Sequence, residues 1–571
     1  MKLKNNIIIG IAGMMSLGLS SCSDFLEVES LNEIVLEKFW NEESDVENIV
    51  AGCYSGMQSQ AMIERMLVWG EFRSDNLIAG TGIQDKLNVQ NVLKENISAN
   101  NVYTTWGEFY DIINRCNTTL YYAPSVAKKD PNYTDSELKA TCAEVSAIRD
   151  LCYFYLIRTF RDVPYSTTPF LDDTQTMAMP ATKFYDVLDS LIIDLERVKD
   201  DAVKTYPITK INYQCGRITK DAIHAMLAEM YLWKKDYANS VKYADLVINA
   251  KTQRYQDELD NMSYGGMYDK MFDEYPLIYE NYGNYYGQAY NSIFSIGASR
   301  ESILELIYEN DDKRLANGAL SFCYGNQKTY PGIVKPADFL CSDVPDGNFK
   351  VFTDKYDTRY YENLMKVSGS LYGVGKYVCS SAIVIPSSSE INVNTRIAAY
   401  AEKTCHANWI LYRLSDIMLL KAEALVQMVG SDVSTETNDS LLKAAYNIVN
   451  TIHKRSSCAT TYTPISFSKY NTKSQMDNLV MEERQRELMF EGKRWYDLVR
   501  RSLRDGNTNY LIENVVRKGS DNASVVQSKL AKMDAIFWPY NLEELKVNKY
   551  LVQNPAFGSG ENNSYQNTTK Q

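Results

Sequence analysis

Histidine is nearly absent from this chain of 571 residues: His224, His406 and His453 are the whole set, and no two stand four residues apart. A zinc hydrolase of the H-E-x-x-H kind needs two imidazoles on one helix face, so it is excluded, and the neighbours Cys405 and His406 form no ligand set by themselves. There is no G-x-S-x-G elbow, no Walker loop and no EF-hand loop, and Gly80-Thr81-Gly82 lacks the third glycine of a dinucleotide fingerprint. Nothing calls for a cofactor; a structural calcium is neither required nor excluded. The eleven cysteines show no C-x-x-C spacing and no dense cluster, so those after Cys22 read as small buried apolar residues. An exported chain leaves room for one or two disulfides among them, with connectivity unread. Basic residues are outnumbered, 60 against 72 acidic, and the formal charge of -12 argues against a phosphate-neutralising nucleic-acid binder and against electrostatic docking on anionic lipid. With so many carboxylates, an Asp/Glu pair carries almost no information about glycosidase chemistry. After residue 22 no apolar run reaches the ~18 residues of a membrane span.

What is present begins at the N-terminus. Lys2 and Lys4 precede an uncharged, largely apolar run from Ile7 to Leu19, and Leu19-Ser20-Ser21 lead directly into Cys22. This reads as a secretory signal over 1–21 ending in a lipobox, with Cys22 acylated and the mature chain starting there. Ordinary secretion with cleavage after Ser20 is the alternative, and it leaves a lone thiol at a terminus. One acyl chain holds a protein only marginally, at ~0.8 kcal/mol per buried methylene, whereas two or three hold it stably without a transmembrane helix.

The mature chain, 22–571, reads as one domain of mainly α character. Phe184, Val187, Leu188, Leu191, Ile192, Leu195 and Val198 recur at three and four residues and form one helical stripe. Trp106, Phe109, Tyr110, Ile113, Asn117 and Leu120 form another. A third, Val145, Ile148, Cys152, Tyr155 and Thr159, should end at Arg161-Asp162-Val163-Pro164, because the residue before a proline is pushed out of the α region. Between Ile218 and Ile248 two helices flank a polar turn at Lys234-Lys235-Asp236. A second hairpin runs from Trp409 to about Met428 and is answered by Leu441, Ala445, Ile448, Val449 and Ile452. These pairs are similar to tetratricopeptide units of irregular spacing, each burying its stripe on the next. The helical scaffold thus covers about 100–250 and 405–505. From about 251 to 400 the chain turns to Tyr, Gly, Ser and Asn with β-prone runs at Ser302–Ile307 and Tyr377–Ile385, and 558–571 is a polar tail that reads as flexible.

At Glu482-Glu483-Arg484-Gln485-Arg486-Glu487-Leu488-Met489-Phe490-Glu491-Gly492-Lys493-Arg494-Trp495-Tyr496-Asp497-Leu498 the sequence closely resembles the signature helices of the SusD/RagB family of outer-membrane nutrient-binding lipoproteins. Trp106 to Asn117, Glu144 to Pro164, Phe537-Trp538-Pro539 and Gln553-Asn554-Pro555 resemble further family segments in the same order. Arg161 stands where the family usually has glycine, and Ala556-Phe557 replace a closing Gly-Tyr. Within the signature, Glu482 with Arg486 and Asp497 with Arg501 are four apart and are expected to pair on a solvated helix face at ~0.3 to 0.5 kcal/mol each, with Leu488, Trp495, Leu498 and Val499 in the core. The motif is expected to be architecture rather than binding site.

The resemblance implies a SusD-like fold, no enzymatic activity, and a partner: a TonB-dependent SusC-like transporter to which a glycan is delivered at the outer membrane. Peptide or glycopeptide uptake of the RagB kind and a pure protein-interaction scaffold are the alternatives, and a lipid-anchored hydrolase would need a carboxylate pair that the sequence does not single out. A glycan site needs flat aromatic faces with amide, Arg and carboxylate groups at the rim. Among 42 tyrosines, Tyr282, Tyr285, Tyr286, Tyr324 and Tyr330 in the irregular region are the candidates, with Arg73 and Asp75 as polar partners from the loop after Trp69.

Overall fold

The computed structural model describes residues 39–558, apart from 173, 211, 263–265, 267–268, 284, 309–315, 326–330, 342–350, 387–390, 398–404, 431–434 and 520–522. Cys22, Tyr330 and all but the first residue of the tail therefore lie outside the described residues. Ten helices of twelve residues or more carry the architecture among these: α1 (Glu43–Met57), α2 (Gly107–Lys129), α3 (Asp135–Phe160), α4 (Phe184–Val198), α5 (Lys220–Lys234), α6 (Tyr237–Asn261), α7 (Leu414–Met428), α8 (Glu436–Arg455), α9 (Lys473–Leu488) and α10 (Arg494–Asp505). Each of α1 to α8 packs on the next except where the irregular region intervenes, and there α6 packs directly on α7. The two scaffold halves separated in sequence are therefore one continuous helical stack.

Local chemistry sets the helix ends. Thr134 and Glu137 form a capping box at the start of α3, the backbone N–H of Thr134 donating to Glu137 Oε2 at 2.8 Å. At the α5–α6 turn Lys235 adopts a left-handed conformation (φ 67°), donating its N–H to the carbonyls of Leu232 and Tyr231, while Asp236 accepts the N–H of Asn239 and caps α6. The seven stripe residues of α4 are all buried. In α3 burial goes further than a stripe: every residue from Ala143 to Phe160 is buried, because α2, α4 and the closing segment surround the helix. Helix α3 ends as the sequence suggests, with Arg161 at φ 70°, a conformation glycine takes more easily, and the Trp538 N–H donates to the Thr159 carbonyl at 2.8 Å.

Between α6 and α7 the described residues include five strands of five residues or more, four in the irregular region and one just after it: β1 (Ser302–Leu306), β2 (Leu364–Ser368), β3 (Cys379–Pro386), β4 (Ile391–Ile397) and β5 (Trp409–Arg413). Residues Trp409–Arg413 are therefore not the start of α7 but a strand, paired antiparallel with β1 and buried along its length. Four large apolar residues followed by a buried arginine have no period that separates strand from buried helix, and the pairing with β1 decided it. Strands β3 and β4 pair antiparallel, and the hairpin Asn281–Tyr282/Tyr285–Tyr286 joins them at Val384 opposite Tyr286, giving a four-stranded sheet. No helix among the described residues is long and apolar enough to cross a membrane. All ten described cysteines are free thiols, mostly buried.

Candidate functional site

The signature segment is the first place to look for chemistry, and its charges turn out to be interior. Glu487, 3 % exposed, accepts hydrogen bonds from Arg413 at 2.6 Å, Arg455 at 2.5 Å and Arg359 at 2.9 Å. Glu491 binds Arg413 at 2.7 Å and Lys376 at 2.8 Å, and Glu483 binds Arg359 at 2.8 Å and Arg486 at 2.9 Å. A second cluster joins Arg484 to Asp416 and Asp497, Lys493 to Asp416, and Arg500 to Glu423 and Asp497. Burial alone would push the Glu487 carboxyl up, but Arg455, Arg413 and Arg359 together hold it well below the usual carboxylate range. The expected surface pairs do not form: Glu482 is exposed, Arg486 turns to Glu483 and the Val351 carbonyl, and Asp497 is claimed by Arg484 and Arg500. The apolar positions Leu488, Trp495, Leu498 and Val499 do lie in the core. Removing one partner from such a cluster leaves a bare buried charge, worth ~3 to 5 kcal/mol rather than a few tenths.

The turn between α9 and α10 is fixed by Glu71, which is fully buried and accepts the backbone N–H groups of Phe490 (3.0 Å) and Lys493 (3.2 Å) and the Asn76 amide (2.8 Å). It forms no ion pair among the described residues, and burial pushes this carboxyl up to about 7 despite those hydrogen bonds. Gly70 makes the approach feasible, since a Cβ there would stand 1.8 Å from the Gly492 carbonyl oxygen.

Arg73 and Asp75 belong to the same interior, which corrects their reading as polar partners on a loop. Arg73, 1 % exposed, pairs with Glu95 at 2.7 Å, donates to the carbonyls of Ile536 and Ala535, and lies 4.1 Å from the centre of the Trp495 ring. Asp75 is held by Arg494 at 2.9 Å and by Gln485. Against the upward effect of burial, Arg494 and these hydrogen bonds keep its carboxyl below the usual value. The stretch looked like a loop because Val68–Phe72 is a single π-helical turn, a conformation with no sequence period of its own. Tyr324 is corrected likewise: it is fully buried, and its hydroxyl donates to the Phe490 carbonyl at 2.7 Å. Asp75 and Tyr324 present no face to a ligand, and Arg73 reaches only the wall of a depression of about 530 Å³ that it shares with Glu95 and Lys529.

Tyr285 is different. It stands 54 % exposed on the hairpin, beside the half-buried Tyr286, while the base of the hairpin is fixed: Gly287 and Gln288 both donate their N–H groups to the Glu280 carbonyl, and the Glu280 side chain is buried against Glu362. Of Tyr282 the backbone alone is described, in the paired strand. A second loop surface lies where Leu77–Ala79 pairs with Val334–Pro336, close enough that a Cβ on Gly82 would meet the Pro331 carbonyl oxygen at 2.4 Å. Lys86 lies 5.5 Å from the centre of the Phe322 ring there. Tyr330 immediately precedes Pro331 in the chain.

Two depressions were not foreseen from sequence. A polar hollow of about 460 Å³ lies beside α9 and α10, between Glu482, Arg501, Asp505, Glu513 and Arg517. An apolar groove of about 470 Å³ lies at the start of α2, lined by Trp106, Tyr110, Phe170, Met179 and Leu551. The groove's signal was present in Met177, Met179, Val547 and Val552, apolar residues in stretches with no helical stripe. Among the described residues no group of three or more His, Cys, Asp or Glu could hold a metal ion.

Comparison with known proteins agrees along the whole chain. The model of the SusD family matches residues 229–557, and a model described as starch-binding, associating with the outer membrane, matches residues 24–232. The SusD-like protein P38 of Formosa agariphila is 26% identical over 572 residues, spanning 98% of this chain and 100% of that protein. Among solved structures, a SusD superfamily protein from Bacteroides thetaiotaomicron aligns with a TM-score of 0.62 at 21% identity, over 91% of this chain and 99% of its own. A laminarin-binding SusD-like protein aligns with a TM-score of 0.60 at 18% identity, over 90% and 100%. The likeness to these structures establishes the fold. The family comprises binding proteins rather than enzymes, associated with the outer membrane, and the match of its model over more than half of the sequence shows that this chain belongs to the SusD family.

Proposed function

We propose that this protein captures an oligosaccharide or polysaccharide at the cell surface and passes it to a TonB-dependent SusC-like transporter, held at the outer membrane by acyl chains on Cys22. The observation that carries the reading is the contrast at Tyr285: an aromatic ring 54 % exposed on a hairpin whose base is pinned from beneath. Such a ring offers the C–H face of a pyranose a stacking surface at little ordering cost, because the backbone beneath is already set. Tyr286, Tyr282 and Tyr330 complete the proposed set, with the separate loop surface at Gly82–Lys86 as a proposed source of polar groups. No acid, base or nucleophile is needed for capture.

The test is calorimetry and affinity electrophoresis of the purified protein against a panel of polysaccharides, laminarin among them, and against peptides. Binding of a glycan that weakens by about 1 to 2 kcal/mol in Tyr285→Ala, with an unchanged melting temperature, supports the reading. Binding of peptides alone, or release of sugar by the pure protein, would falsify it. Membrane partitioning of Cys22→Ala in the absence of the transporter tests the anchor, and undiminished partitioning sinks that part.

A further inference from the structure

The apolar groove at the start of α2 is a feature that glycan capture leaves without a role. Its aromatic and aliphatic walls are Trp106, Tyr110, Ile113, Phe170, Met179 and Leu551. At its edge stand Met177, 60 % exposed, and Val547, 74 % exposed; just beyond in the same C-terminal segment are Tyr550 at 51 % and Val552 at 74 %. Bulky apolar groups held in water at one place mark a contact surface, since scattered single residues would need no explanation but a contiguous set does.

The polar atoms of the groove decide what kind of contact. Tyr110 donates its hydroxyl to the Pro164 carbonyl at 2.6 Å. Asn114 both donates to the Phe170 carbonyl and accepts the Phe170 N–H, and Asn117 donates to Ser166 and accepts from Arg149. Tyr153 donates to and accepts from the backbone of Ser166. Asn548 donates to the Met179 carbonyl and accepts the Tyr550 N–H. Every one of these amides and phenols is therefore engaged in holding the groove's own walls. A sugar, which must exchange its water hydrogen bonds for protein ones, finds few offered here. What remains without a counter-charge is negative: Asp111 is exposed, and Glu544, half-buried, is raised by burial and accepts a hydrogen bond from the Trp106 side chain, and neither forms an ion pair among the described residues.

We infer that this groove docks a segment of a partner polypeptide in which bulky apolar side chains are followed by lysine or arginine, the apolar groups seating between Tyr110, Phe170 and Leu551 and the cation meeting Asp111 and Glu544. The surface is distinct from the tyrosine hairpin, so it serves attachment to a protein and not ligand capture. Two unpaired carboxylates at an apolar opening select against acidic segments, including a second copy's own acidic surface, more strongly than they favour any one sequence.

Twelve-residue synthetic peptides with Leu or Phe at helical spacing and two Lys at one end, together with matched peptides carrying Glu in place of Lys, are measured by fluorescence anisotropy on the purified protein. Lys peptides are expected to bind with Val547→Asp and Met177→Asp each weakening them at least about tenfold. Asp111→Asn with Glu544→Gln is expected to weaken them about fivefold and to flatten the salt dependence. Val547 and Met177 are surface residues, so an unchanged melting temperature separates lost docking from lost fold. Equal binding of Lys and Glu peptides, indifference to Val547→Asp, absence of peptide binding, or displacement of bound peptide by an oligosaccharide each overturns the inference. Glycan affinity measured on Val547→Asp stays at the wild-type value whichever way the peptide result falls, which keeps this test apart from that of glycan capture.

Discussion

Helices α9 and α10 and the tyrosine hairpin at 281–286 invert what their compositions suggest. The first is among the most charged stretches of the chain, with Glu483, Arg484, Arg486, Glu487, Glu491, Arg494, Asp497 and Arg500 all buried in ion pairs, and the second is largely aromatic, yet carries a tyrosine out in solvent. The difference teaches that here charge density marks the interior, where guanidinium forks lock helices and loop segments into one register, whereas an aromatic ring in a Gly- and Asn-rich setting can stand in solvent, as Tyr285 does, or be buried, as Tyr324 is. Buried ion pairs are weak evidence for stability in general, since an apolar replacement can serve as well. Their breakage is the sensitive event.

The sharpest way to break the comparison is therefore at the arginines. Arg413→Ala strips Glu487 and Glu491 of a shared partner and is expected to cost ~3 to 5 kcal/mol or prevent folding, by denaturant titration. A cost below 1 kcal/mol would mean that these helices do behave as a solvated face. Next come the apolar stripes, Leu188→Ala, Leu227→Ala and Ile448→Ala, each expected at ~2 to 5 kcal/mol through cavity formation, against a near-silent Lys242→Ala. All three residues are 0 to 1 % exposed.

Glu71 sharpens the contrast within the interior. Glu71 and Glu423 are both fully buried, but Glu423 faces Arg500 and Arg504 and, against the upward effect of burial, is held at about 2, whereas Glu71 has dipoles alone and is pushed up to about 7. A carboxyl raised in the folded state favours folding while protonated, so Glu71 takes stability away as pH rises from about 4.5 to 7, by roughly 3 kcal/mol at most. Glu423 has the opposite sign: its contribution is present above pH ~4.5 and is lost as pH falls through about 2. Glu71→Gln is expected to flatten the decline of stability between pH 4.5 and 7, and Glu423→Gln to lower stability at neutral pH. Equal slopes for wild type and Glu71→Gln would show that the turn holds no uncharged carboxyl. The smallest effect on stability belongs to Tyr285→Ala, within about 0.5 kcal/mol, although it is expected to be the largest on glycan affinity.

Legibility followed the same divide. The α4 stripe was fully readable because seven apolar residues repeat at helical spacing and nothing competes, and the end of α3 was readable from Pro164. Trp409–Arg413 was misjudged because a run buried on both sides has no period. Arg73 and Asp75 could be recognised as polar but not as interior, since their partners Glu95, Ile536 and Arg494 are 22, 463 and 419 residues away. Pairing at that distance leaves no local trace. The groove at Trp106 was hidden for a related reason: its walls come from α2, the loop after α3 and the C-terminal segment at once.

That distance also dictates when the molecule can come into being. Glu71 waits for the amides of Phe490 and Lys493, and Arg73, although Glu95 is only 22 residues away, waits for the carbonyls of Ala535 and Ile536, so the segment after α1 lacks its distant backbone partners through almost the whole of synthesis. A nascent chain grows from its N-terminus, and contacts of such separation close last and slowly. The helical stack can assemble piece by piece as it emerges, but the bolt through its centre slides home only when nearly the final residue has been made, so a chain cut short by even forty residues, before Ile536, leaves the Arg73 guanidinium without its two carbonyl acceptors and the stack unlatched.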